Sequence, residues 1–377
     1  MKVVIVGTVA SSIIGFRSDL IKKLISEGCS VTAFATDYTN EQRALVVAMG
    51  AEPVNYNFNR GGLNPFSDII NTLALAKQLK SIKPDLVFSY FAKPVVFGTL
   101  AARIARVPYI VAMLEGLGFS FTEQPNGLPF KTKVIRIVQI FLYRLAFPFL
   151  DRLIFLNPDD PIDLLGKYNL KVKKFSVLGG IGLSLDNYPY SLSISKPVRF
   201  IFVGRLLAEK GINEYISAAK LVKQQYPTAE FVVLGDLDES NPGGLTQLQL
   251  DSYIDQNIVI YPGHVNNVHD WLADSSVFVL PSYYREGVPR STQEAMAIGR
   301  AVITTDVPGC RETVIDGVNG FFVPPWSPSL LAKNMIKFID QPELIEQMGK
   351  ESYRIAQEKF DAEKVNKRLV SMLLDSE

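Results

Sequence analysis

Soft metal ligands are scarce in this chain of 377 residues, which has only two cysteines, Cys29 and Cys310, and two histidines, His264 and His269. Cysteines this far apart argue against a disulfide scaffold, and so thin a ligand set argues against a structural zinc site. An excess of one charge sign is also missing, with 39 basic against 38 acidic residues. That balance argues against a protein held on nucleic acid by bulk electrostatics, so any phosphate recognition must be local. No uncharged apolar run reaches membrane-spanning length, and Met1-Lys2 passes straight into "VVIVG" with no cleavable signal pattern. A cytoplasmic protein is the expectation. Short-period repeats and low-complexity tails are absent as well.

With 47% hydrophobic residues there is ample apolar material, and the length points to two cores. Short β-branched runs, "KVVIVG", "SVTAFAT", "PDLVFSY", "VPYIVAM" and "DRLIFLN", alternate with helical patterns such as "FRSDLIKKLISEG". Such alternation predicts βαβ units on a parallel sheet. The stretch Gly179–Pro197, rich in Gly, Ser, Pro and Tyr, resembles a linker. The alternation then restarts with "VRFIFVG", "EFVVLG", "NIVIYPG", "SVFVLP", "AVITT" and "GFFVP". The predicted fold class is α/β with two Rossmann-like, doubly wound domains facing a cleft, at residues 1–190 and 197–360. Residues 361–377 form a last helix that is expected to cross back to the first domain.

The segment "REGVPRSTQEAMAIG", Arg285–Gly299, carries two glutamates. Pro289 suits the first turn of a helix and Gly299 its exit, which puts Glu294 inside the helix and Glu286 on the loop before it. Eight positions at ~1.5 Å each separate them by on the order of 12 Å. A glycosidic acid/base couple needs roughly 5 to 9.5 Å. Two grips on one extended ligand fit better, one carboxylate on sugar hydroxyls and the other on ribose. Gly287 and Val288 lie between them, where a glycine lets a ligand approach the backbone, and the helix N-terminus offers N–H groups to a diphosphate. An ordinary surface loop and solvated helix would present the same residues.

In "FVGRLLAEKG", Arg205 and Lys210 directly follow the first strand of the second domain. Cations there are placed to hold phosphate oxygens and to offset charge growing on a departing diphosphate. An exposed loop with common cations is the alternative.

The two stretches together resemble glycosyltransferase family 4, the retaining transferases of GT-B architecture. "FVLPSYYREGVPRSTQEAMAIGRAVITTDVPGCRETVIDGVNGFFVPP" is most similar to bacterial members that extend polyprenyl-diphosphate-linked oligosaccharides, and "FRSDLIKKL", "KPVVFG", "EGLGFSFT" and "GDLDESNP" extend the likeness along nearly the whole chain. The resemblance implies that Arg205 and Lys210 hold the donor diphosphate, Glu286 reaches the transferred sugar and Glu294 the ribose. It implies base contacts near His264 and Val265, and an approach of the first domain to the donor at Gly15, read as closing the loop after the first strand. Many members carry a histidine where this chain reads "EGLG", so Glu115 becomes a candidate for polarising an acceptor hydroxyl or holding the donor sugar. Front-face attack, with a leaving diphosphate oxygen taking the acceptor proton, is the implied mechanism.

Asp236–Asp238, "DLD", imitates a metal-binding Asp-x-Asp. It is read as a loop, and no obligatory metal or other cofactor is expected. In Leu128–Arg152, Phe130, Val134, Ile137, Val138, Phe141 and Leu145 share a helical stripe, with Lys133, Arg136 and Arg144 on another side. Such a helix suits a membrane surface presenting a lipid diphosphate; a helix packed between sheet and solvent, favoured by Tyr143 and Phe147 on the basic side, is the alternative. Arg17 and Lys93 are the candidate clamps for the acceptor diphosphate, or else solvated surface cations.

The resulting expectation is a cytoplasmic enzyme, peripheral to the inner membrane, moving N-acetylgalactosamine or a related hexose from a UDP-sugar to a polyprenyl-diphosphate-linked saccharide, with no nucleic-acid partner. A UDP-N-acetylhexosamine epimerase of the same fold and a non-catalytic UDP-sugar-binding protein are the rival readings. The epimerase would need no acceptor, and the binding protein would turn nothing over.

Overall fold

The computed structural model describes residues 1–58, 65–193, 196–238, 241 and 243–375. Two compact units emerge: one comprises Met1–Ser120, Pro129–Ile181 and Ala362–Glu377, the other Phe121–Leu128 and Gly182–Asp361.

The first unit is built on a seven-stranded sheet of β1 (Lys2–Val6), β2 (Ser30–Ala35), β3 (Glu52–Asn55), β4 (Leu86–Tyr90), β5 (Tyr109–Leu114), β6 (Arg152–Phe155) and β7 (Phe175–Val177). All its pairings are parallel. A parallel sheet covered on both faces needs strands apolar throughout rather than alternating. Val4, Ile5, Val6, Leu86, Val87 and Phe88 meet that need, each fully buried. Spatial order is β3-β2-β1-β4-β5-β6-β7, so the winding reverses between β1 and β4. Its helices include α1 (Ala10–Ser26), α2 (Asn40–Ala48), α3 (Pro65–Ile82), α4 (Ala92–Ala105) and α5 (Phe130–Ala146), and α4 packs against both α3 and α5. The helix Ala362–Leu374 packs on α1, while the carbonyl of Asp375 accepts from Tyr109 Oη at 3.1 Å and Arg152 at 3.3 Å.

In the second unit β8 (Arg199–Val203), β9 (Glu230–Leu234), β10 (Val277–Leu280), β11 (Ala301–Thr305) and β12 (Gly320–Val323) form a parallel sheet in the order β12-β11-β10-β8-β9. Here the winding reverses between β8 and β10. The expected strand "NIVIYPG" is reduced to a single bridge, Val232 to Ile260. Pro262 has no N–H to extend the ladder, and Gly263 turns away at φ 84°.

The expected linker is divided at Ile181. Its later part is bound into the second unit: Ser191 N–H donates to Ile298 O at 3.1 Å, and the Tyr190 ring lies 4.9 Å from that of Tyr353. Residues 194 and 195 of that stretch, and Glu239, Ser240 and Pro242 of "GDLDESNP", lie outside the described residues.

Helix α5 turns its apolar stripe outward. Phe130 is 82% exposed and Ile137 65%, and Val134, Phe141 and Leu145 are exposed too. The buried side is Thr132, Tyr143 and Ala146, with Tyr143 stacked on Phe147. Arg136 and Arg144 are bonded to the carbonyls of Ser120 and Tyr168. No helix among the described residues is long and apolar enough to cross a membrane.

Candidate functional site

Open α/β sheets bind ligands beyond the carboxyl ends of their strands where the winding reverses. In the second unit that position lies between the loops following β8 and β10, and these carry the predicted donor residues. After β8 the chain runs through Arg205 into a single 3₁₀ turn, Ala208–Lys210, and leaves it at Gly211. Gly211 has φ 82°, and a Cβ there would collide with the Pro281 carbonyl. A glycine is required because the two loops touch backbone to backbone.

This contact sets Lys210 against Glu286. Lys210 Nζ is bonded to Glu286 Oε1, with the side chains 17% and 12% exposed. The same oxygen accepts from Ser282 Oγ at 3.2 Å, and the ammonium lies 5.4 Å from the Tyr284 ring centroid. The loop after β11 presses on the same segment, since Gly309, at φ 83°, would place a Cβ 2.5 Å from the Glu286 carbonyl. Burial, with the Glu286 charge next, pushes the nearby Cys310 thiol up to about 12.

Glu294 is held separately. It lies within the helix Arg290–Ile298, which starts after Pro289 and stops at Gly299 with φ 90°. Tyr188 Oη donates to its Oε1 at 2.8 Å, and Arg290 Nε donates to the same atom at 3.0 Å. Burial, followed by the Glu294 charge, raises the Tyr188 hydroxyl to about 12. The glutamates therefore have different partners. Gly287 and Val288 are buried between them. Arg205 is more open, 3.8 Å from Asp238. His264 is exposed and paired at 3.0 Å with Asp236, next to half-buried Val265.

In the first unit Gly15 does not close the loop after β1. It is an exposed residue within α1, with nothing within 4 Å of the position a Cβ would take. The loop glycine is Gly7, whose carbonyl accepts from Tyr56 Oη.

Arg17 is 1% exposed, so it is not a solvated surface cation. Its guanidinium is ion-paired with Glu115 and lies 4.2 Å from the Tyr90 ring centroid. The two candidates thus form one buried unit. Lys93, second residue of α4, lies 3.4 Å from Asp68 Oδ1 and 5.6 Å from the Phe58 ring centroid.

Sequence reading missed Tyr188, Ser282 and Glu209. Glu209, 5% exposed, uses its carbonyl to accept from the N–H groups of Tyr283 and Tyr284 and from Ser282 Oγ, which organises the Glu286 loop. The Arg290 partner of Glu294 was recoverable from i,i+4 spacing.

Comparison with known proteins shows the family of the chain. The family profile "Glycosyl transferases group 1" matches residues 188–355, and "Glycosyl transferase 4-like" matches residues 3–157. The N,N'-diacetylbacillosaminyl-diphospho-undecaprenol alpha-1,3-N-acetylgalactosaminyltransferase of Campylobacter jejuni is 31% identical over 350 residues, 89% of this chain and 87% of that protein. The UDP-Gal:alpha-D-GlcNAc-diphosphoundecaprenol alpha-1,3-galactosyltransferase of Escherichia coli is 28% identical, over 68% of this chain and 66% of its own. Among solved structures, Anabaena Alr3699/HepE in complex with UDP superposes with a TM-score of 0.78 over 99% of both chains at 18% identity. Sucrose-phosphate synthase from Thermosynechococcus elongatus, 17% identical, also reaches 0.78 over 99% of this chain and 98% of its own. The chain belongs to glycosyltransferase family 4 and is a hexosyltransferase of GT-B architecture.

Proposed function

We propose that the chain transfers a hexose, with N-acetylgalactosamine as the first choice, from a UDP-sugar to a polyprenyl-diphosphate-linked saccharide, with retention at the anomeric carbon. The observation that carries this reading is the Lys210–Glu286 pair at the point where the second sheet reverses. It puts a cation suited to a diphosphate beside a carboxylate suited to sugar hydroxyls. The N-acetylgalactosaminyltransferase relative, which matches nearly the full length, supports both the amino-sugar and the lipid diphosphate.

In the reaction the acceptor oxygen bonds to the anomeric carbon as the bond from that carbon to the UDP oxygen breaks. The electron pair leaves with UDP, and the acceptor proton passes to a diphosphate oxygen on the same face. Lys210 and Arg205 offset the charge growing on the leaving group, which is the largest contribution a preorganised site makes. No obligatory divalent ion is invoked, because these two cations fill that role. Glu286 accepts from the sugar, Glu294 from the ribose, and the backbone at His264 and Val265 borders the base. Glu115 is neutralised by Arg17, which suits it to hold a hydroxyl rather than to remove its proton.

The exposed stripe of α5, beside exposed Lys131, Lys133 and Arg144, supports peripheral contact with an anionic membrane face, the inner membrane in this reading. Helix α3 adds exposed Phe66, Ile69, Ile70 and Leu73.

The test is incubation of the purified protein with a panel of UDP-sugars and lipid-linked saccharides, with products weighed by mass spectrometry. A mass gain of one hexose or N-acetylhexosamine on the lipid-linked saccharide is expected, and it should vanish in Lys210→Ala. Conversion of the donor alone, or no conversion with any pair, overturns the proposal.

A further inference from the structure

Two cavities of the first unit share one residue, Lys93. One, of about 170 Å³, is lined by Thr8, Thr36, Tyr56, Phe58, Phe91 and Pro94 together with Lys93. It lies where the first sheet reverses, beyond the ends of β1 and β4. Its walls carry aromatic rings in contact, Tyr56 to Phe58 at 5.9 Å between centroids, together with threonine side chains. Apolar faces interleaved with hydroxyls suit a pyranose ring, and a cavity of about 150 Å³ accommodates one six-membered ring. Phe91 is held at φ 69°, ψ 153° directly before α4. A non-glycine residue in that region costs on the order of 1–3 kcal/mol and is characteristic of ligand clamps.

The other cavity, of about 370 Å³, is a groove between α4 and α5. Val96, Phe97, Ile135 and Leu142 form its apolar walls, and Lys131 stands with Lys93 on its lining. Ile135 and Leu142 immediately follow Val134 and Phe141 of the outward stripe, so the groove adjoins the exposed apolar face of α5.

We propose that these features read the chemical order of the acceptor: the first sugar enters the aromatic cavity, its diphosphate meets Lys93 and Lys131, and the first isoprene carbons lie in the α4–α5 groove. This rests on the function proposed above and names where each part of that substrate goes. Charge complementarity selects the occupant, since a neutral lipid leaves both lysines unused and a lipid-free sugar diphosphate leaves the groove empty. Asp68, 3.4 Å from Lys93 Nζ, holds the lysine until a diphosphate, carrying more charge than one carboxylate, draws it over.

Titration calorimetry on the full chain tests this with farnesyl diphosphate and inorganic diphosphate as probes, in saturating UDP so that the donor site is filled. Wild type should bind farnesyl diphosphate about fiftyfold more tightly than inorganic diphosphate, the value for roughly three methylene equivalents taken out of water. Ile135→Asp should remove most of that ratio, and its carboxylate, four residues from Lys131, should also weaken inorganic diphosphate. Lys93→Ala should weaken both probes about tenfold, and Asp68→Asn should tighten both. Equal affinities for the two probes in wild type overturn the proposal, as does an unchanged ratio in a folded Ile135→Asp, or in Leu142→Asp if the first variant does not fold. A normal probe ratio without sugar transfer to any acceptor would instead count against the proposed function alone.

Discussion

Replacing Glu286 with glutamine should move two quantities in opposite directions. The Lys210 ammonium is bonded to Glu286, and both side chains are largely buried. In the proposed function a donor diphosphate must therefore draw that ammonium from a carboxylate before it gains the charge. The amide side chain would keep the size of the original and an oxygen for Ser282 Oγ, but not the negative charge. Hydrogen bonds to charged groups contribute about 1.5–3 kcal/mol against about 1 kcal/mol for neutral ones. Glu286→Gln should thus release Lys210 by about 1 kcal/mol or slightly more, which is roughly five- to tenfold tighter binding of UDP.

Transfer should fall in the same variant. The sugar hydroxyls lose a charged acceptor, and about 2 kcal/mol at the transition state corresponds to ~30-fold in kcat/KM. Calorimetry with UDP and steady-state transfer from the UDP-sugar give the two numbers. Lys210→Ala is the companion, in which UDP affinity and turnover should both drop, turnover by about a hundredfold or more. If Glu286→Gln weakened UDP binding in step with its loss of turnover, the carboxylate would not be competing with the diphosphate for Lys210, and the Lys210–Glu286 pair would not set UDP affinity.

Other consequences follow from single contacts. Gly309→Ala, at φ 83° and against the Glu286 carbonyl, should cost about 1–3 kcal/mol in thermal melts, with turnover falling further than the melting shift explains. Arg17→Met should destabilise the protein by about 3–5 kcal/mol in denaturant titrations, because Glu115 is then left buried without its cation, and adding Glu115→Gln should recover most of that loss. Cys310, fully buried with its thiol raised to about 12, should stay protonated and unreactive to disulfide reagents at neutral pH, with thiolate appearing only as pH approaches that value; it should react in denaturant. Ile137→Glu should lower sedimentation with anionic vesicles about tenfold or more without changing the melting temperature, since that side chain is 65% exposed.

The strands legible from sequence were those with continuous apolar runs, such as β1 and β10. β3 reads "EPVN", with polar ends and a proline, and β7 is three residues long, so neither rises above loop composition. The placement of Arg205, Lys210 and Glu286 on loops after strands was legible, because each closely follows a continuous apolar run. Their pairing was not, since Lys210 and Glu286 are 76 residues apart and meet only because β10 lies beside β8. The same holds for Tyr188, 106 residues from Glu294, and for the aromatic cavity, to which the segments after β1, β2, β3 and β4 add between one and three residues each.

Helix α5 shows a different kind of limit. Its periodicity was plain, but an apolar stripe on a surface helix ordinarily faces the core, and here Thr132, Tyr143 and Ala146 occupy that side. Periodicity identifies two faces without saying which one the neighbours cover. Once α4 and the Tyr143–Phe147 stack take the mixed side, the apolar side stays outward, and a groove with two lysines lies beside it. A local rule broken beside a charged, apolar-walled cavity marks the surface on which the proposed acceptor contact is to be tested.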